Sequence, residues 1–178
     1  LESSLFIGIN HFPKIKQDTL QFKKIMQNNI FWIRKNLKKY NEAVKTLIIF
    51  AHTFSGQTTN NSVYKVCGKI KIDSWQTQKN YKYFSNQFVT LAKEFKKPIL
   101  YIHGDLHCYQ LDNPYKEATN IKRIIVNKIE KSPMIKVTLK DDGFRIDKRI
   151  NYRIDKLLKG ANYGNVWSQY FLGLEKAK

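Results

Sequence analysis

The spacing of apolar and polar positions changes period several times along the chain, and each change marks an element. Leu5–Asn10 (LFIGIN) is a nearly apolar run with the length of a short buried strand. Over Thr19–Tyr40 the apolar residues Phe22, Met26, Ile30, Ile33, Leu37 and Tyr40 recur at steps of three and four. That spacing predicts an amphipathic helix, with Asp18 or Thr19 as its N-cap. Thr46–Ala51 (TLIIFA) is β-branched and almost wholly apolar, the composition of a strand covered on both faces. The stretch Thr53–Asn80 is rich in Ser, Thr, Gln and Asn and reads as a long connection with a short strand at Lys69–Ile72. A second amphipathic helix is expected over Tyr81–Phe95, with Phe84, Phe88, Leu91 and Phe95 on one stripe. Pro98–Ile102 is a second buried strand.

Shorter strands follow at Cys108–Leu111, Lys122–Val126 and Met134–Lys140. The Asp141-Asp142-Gly143 turn folds the last of these back into Phe144–Ile146. Strand, helix, strand, helix, strand implies parallel strands joined by helical crossovers. The later run of strands implies a more antiparallel margin, so the fold class is α/β with a mixed sheet. Residues 1–146 are expected to form one unit, and residues 147–178 a basic and aromatic C-terminal extension.

Composition supports a packed domain: of 178 residues, 42% are hydrophobic, which excludes a disordered chain. No apolar run approaches the roughly 20 residues of a membrane span, so no transmembrane segment is expected. Cys67 and Cys108 are either two reduced thiols or one bridge, and the reduced state is expected because most two-cysteine chains are not stapled. The sequence begins at Leu1, without Met or a readable signal or transit peptide, as a piece of a longer protein would. The net charge of +18 points to acidic surroundings such as nucleic acid, anionic membrane or an acidic partner. Against this, Lys far outnumbers Arg and the charge is spread along the whole chain, as in a generally Lys-rich proteome.

Candidate chemistry lies where the buried strands end. The first ends in FAH, which puts His52 at its C-terminal tip. The second runs through YIHGDLH and puts His103, Asp105 and His107 at or just past its tip. Sites in open α/β sheets assemble beyond these C-terminal ends, so three histidines are expected at one sheet edge, with His11 near it. Imidazole and carboxylate together suit Zn, Fe or Mn. Gly104 lets the backbone turn sharply between them. Other readings are weaker. Ser55 and Ser62 lack a nucleophile elbow, the cysteines lack metal-type spacing, and no phosphate-cradling glycine loop is present.

These motifs resemble the second half of the calcineurin-like metallophosphoesterases. In that family a strand ends in a lone His, and a helix and a strand then lead to Gly-His-x-His. IIFAHTF and Gly104-Asp105-Leu106-His107 are similar to those two motifs. FWIRKNL resembles the family's helix before the first His, and FIGIN the strand after its Asn-His motif. A bacterial-type branch, reading PVLLVHGDSH, an Asp-x-Pro turn and an Asn-x-x-Arg strand, resembles PILYIHGDLH, CYQLDNP and NIKR here.

The resemblance spans roughly Leu5 to Phe144 and implies the C-terminal half of a layered β-sandwich flanked by helices. It implies His52, Asp105 and His107 as ligands of divalent Fe, Zn or Mn ions. His103 becomes a catalytic residue on the substrate side or a group behind the ligands. Asp105 replaces the family's usual His, and the half of the family domain that supplies its Asp-x-His, Gly-Asp and Asn-His motifs is expected to be missing from this sequence. Three donors are too few for a metal pair. The implied function is part of a phosphate ester hydrolase completed by a missing N-terminal half or another chain covering the sheet. The alternative is a degenerate, non-catalytic accessory subunit of a larger assembly.

Overall fold

The computed structural model describes residues 4–9, 19–40, 42–52, 65–66, 69–70, 79–104, 108–127 and 135–147. Its elements, in chain order, are β1 (Ser4–Ile9), α1 (Thr19–Tyr40), β2 (Thr46–Ala51), β3 (Lys65–Val66), β4 (Lys69–Ile70) and α2 (Lys79–Phe95). There follow β5 (Ile99–His103), β6 (Gln110–Asp112), β7 (Ile121–Ile125), β8 (Lys136–Lys140) and β9 (Gly143–Asp147). The chain divides into two compact units, Leu1–Ser132 with Val137–Arg145, and Pro133–Lys136 with Ile146–Lys178. The second lies almost wholly outside the described residues, as does the predicted Asp18 cap.

The main sheet has five strands in the order β1-β2-β5-β7-β6. β1, β2, β5 and β7 are parallel neighbours, and β6 pairs antiparallel with β7 at the edge. The architecture is therefore mixed α/β with a mostly parallel sheet. One detail differs from expectation: β7 is a fourth parallel strand inside the sheet, and only β6 makes an antiparallel margin. β3 with β4, and β8 with β9, form separate two-stranded sheets.

Both helical crossovers step in the same direction along the sheet. Right-handed connections of that kind place α1 and α2 on the same face. The core lies there. Met26, Ile30 and Ile33 of α1 and Phe84, Phe88 and Leu91 of α2 meet Ile7, Leu47, Ile49, Ile99, Tyr101 and Ile121 of the strands. Phe88 is the central ring, 5.7 Å from Phe84, 5.8 Å from Tyr101 and 6.3 Å from Tyr115 between centroids. An exposed ion pair, Arg34 Nη1 to Glu94 Oε2 at 2.7 Å, links the two helices. It adds little to stability beside the apolar contact.

The opposite face of the sheet is partly buried as well. Ile48, Leu100 and Ile124 alternate with the core residues and are all inaccessible. These strand centres are therefore covered on both faces. On that face Phe6 and Phe50 are exposed and stack at 6.5 Å between ring centroids.

Cys108 is disulfide-bonded, which overturns the expectation of a reduced thiol. Cys67 is the chain's other cysteine. A bond between these positions closes a loop of about 40 residues and stabilises by about 4 kcal/mol through the entropy removed from the unfolded chain. The Cys108→Ser variant is accordingly expected to unfold at markedly lower temperature than the wild type. A reductant should lower the wild-type midpoint and leave the variant's unchanged. Equal midpoints for oxidised wild type and variant would show that the bond carries no stability.

Candidate functional site

The four parallel strands all present their C-terminal ends at one edge. β2 and β5 are neighbours in register, Phe50 opposite Ile102, so the two predicted tips do come together. The ladder continues one step past the strands: the Gly104 N–H donates to the His52 carbonyl at 3.3 Å. On the other side of β5, the Val126 N–H donates to the His103 carbonyl at 2.8 Å. The end of β5, through Gly104, is thus held between β2 and β7. A Cβ on Gly104 would sit 2.9 Å from Val126 Cγ2, closer than side chains pack. The close approach of these two strands gives the glycine a steric reason.

The two tip histidines face opposite ways. Ala51 packs against the helix-side core, and the pleat turns the next residue, His52, to the other face, where it is exposed. His103 follows Tyr101 by two residues and lies on the helix side, 1% exposed, edge-on to the Tyr101 ring at 6.0 Å. The structure brings the two residues to one edge but not to one cavity. Asp105, His107 and His11 lie outside the described residues. Among the described residues no group of three His, Cys, Asp or Glu converges as a metal site.

A polar cluster that sequence reasoning assigned no role lies beside His103. Arg123 of β7 is fully buried and sits next to Tyr101 in register. Its Nε donates to Asp112 Oδ1 at 2.8 Å and its Nη2 donates to Oδ2, a bidentate pair across the β6–β7 ladder. The Gln110 side-chain amide donates to the same carboxylate. Burial raises the Asp112 carboxyl above its ordinary range, while the Gln110 hydrogen bond and the charge of His103 pull the other way. Burial lowers the Arg123 guanidinium to about 9, still above neutrality, so it remains charged at pH 7. Asp112 belongs to LDNP and Arg123 to NIKR. Asn120, which begins NIKR, donates to the Ala92 and Lys97 carbonyls at 2.9 and 3.0 Å and closes the end of α2. The available signal was a single Arg inside the apolar run IKRIIV, opposite a strand ending in Asp.

A scan against protein-family models gives no match, and searches of curated proteins and of solved structures give none.

The buried pair predicts an asymmetry. Asp112→Ala leaves the inaccessible guanidinium without its counter-ion and is expected to cost about 3–5 kcal/mol. Arg123→Met leaves a carboxylate whose side chain is 27% exposed and can be hydrated, so its cost is expected to be about 2 kcal/mol or less. Chemical denaturation of the two variants checks this. An Arg123→Met variant as unstable as Asp112→Ala would show that the pair's attraction, not desolvation, dominates.

Proposed function

We propose that this chain forms the C-terminal half of a calcineurin-like metallophosphoesterase domain, and that the complete domain hydrolyses phosphate esters. The observation that carries the reading is the edge built by β2 and β5. His52 stands exposed at one tip, and the glycine turn of HGDLH is tied to it by the Gly104 to His52 hydrogen bond. The pairing of Asp112 with Arg123 adds support, because it joins the two motifs that follow HGDLH in the resembling branch.

On this reading His52, Asp105 and His107 hold divalent Fe, Zn or Mn. The donor set fits those ions: imidazole and carboxylate suit borderline metals, and His52 is open to solvent at the edge. Bound metal polarises the phosphoryl group and lowers the pKa of an attacking water. His103 is a positioning residue. Enclosed on the helix side, it would fix the end of β5, from which the chain runs on to Asp105 and His107. Three donors do not complete a metal pair, so further ligands come from polypeptide outside these motifs.

The test uses the full-length protein with bis(p-nitrophenyl) phosphate and Mn, before and after chelation. Turnover should vanish with chelator. His52→Ala should lower both turnover and metal content by more than the roughly 10–100-fold typical of losing a group behind the ligands. Unchanged metal content in folded His52→Ala would sink the ligand assignment. A full-length protein with no chelator-sensitive turnover would favour the non-catalytic accessory subunit.

A further inference from the structure

The outer side of α1 has no part in the core or in the proposed metal edge. Its buried stripe is Phe22, Met26, Ile30, Ile33 and Leu37. At 100° per residue, Leu20, Lys24, Phe31, Lys35 and Lys38 form a second stripe on the opposite side. Leu20 is 77% exposed, Phe31 66%, and Trp32 on the flank 49%. Large apolar side chains on a solvent-facing helix stripe mark an interaction surface when they cluster. The charge is one-sided as well. The helix carries Lys23, Lys24, Arg34, Lys35, Lys38 and Lys39 and not one acidic residue. Among the described residues, Arg34 is the one cation of this helix engaged by a carboxylate, that of Glu94.

We propose that this ridge of α1 docks the protein on an anionic lipid bilayer, lying in the interface plane. No helix among the described residues is long and apolar enough to cross a membrane, so the contact is peripheral. Leu20 and Phe31 enter the boundary between headgroups and acyl chains, and Trp32 sits at headgroup level, where indole is favoured. The lysines flanking them extend their stems along the surface and place their ammonium groups among lipid phosphates and carboxylates.

Two other occupants fit less well. Single-stranded nucleic acid follows basic grooves lined by aromatic rings that stack on successive bases. This surface is a convex ridge with an aliphatic residue at one end and a single phenyl in its line. A second copy of the chain would set lysines against lysines, and like charges across an interface oppose association.

The test is co-sedimentation of the full-length protein with vesicles of phosphatidylcholine alone, or with about a third phosphatidylserine. Binding is expected to the anionic vesicles and to weaken with added salt. The double variants Lys35→Glu/Lys38→Glu and Phe31→Ser/Trp32→Ser should each reduce it at least about tenfold. Both leave the core untouched and should unfold at the wild-type temperature, which separates lost docking from lost fold. Equal binding to neutral vesicles, variants that bind like the wild type, or binding of a single-stranded oligonucleotide in place of vesicles would each overturn the proposal.

Discussion

Packing of two helices against one face of a parallel sheet is the contact on which the rest of this structure depends. Parallel strands need long crossovers, and right-handed crossovers taken in one direction stack their helices on one side. The sheet then has two unlike faces. One buries Leu47, Ile49, Ile99 and Tyr101 under α1 and α2. The other buries Ile48, Leu100 and Ile124 and leaves Phe6 and Phe50 exposed towards the β1 edge. Every residue at the strand tips inherits one of these environments from its parity along the strand.

That inheritance explains the arrangement at the candidate site. A residue on the open face at the end of β2 can meet solvent, and His52 does so. A residue on the helix face at the end of β5 is enclosed, and His103 is. Enclosure also accounts for the company His103 keeps. Arg123 is buried on the same face by its register with Tyr101, and a buried guanidinium demands a carboxylate. Asp112 supplies it from the edge strand, bonded through both oxygens. The pair fixes β6 to β7 at the edge of the sheet.

The same helix serves two demands on opposite sides. The inward stripe of α1 is aliphatic and aromatic because it closes the core. Its outward stripe need only be soluble, yet it carries Phe31 among lysines, with Trp32 on its flank. Core packing gives no reason for those rings, and they are the ground for assigning that face a surface role of its own.

Local periodicity made the elements legible in the sequence. α1 runs over the predicted residues, and β2 likewise, because a 3.6-residue stripe and a β-branched apolar run are properties of neighbouring residues. The gathering of His52 and His103 at one edge was also legible, since parallel strands put their tips together. Strand order beyond β5 was not, because β7 takes an inner place only once β6 is displaced to the edge. Nor could the sequence say that Cys108 is bonded, since that depends on proximity across a long loop. The opposite facing of the two tip histidines and the pairing of Arg123 with Asp112 were likewise decided by tertiary structure. Both follow from strand register and from which face the helices cover, and those are set by contacts between residues far apart in the chain.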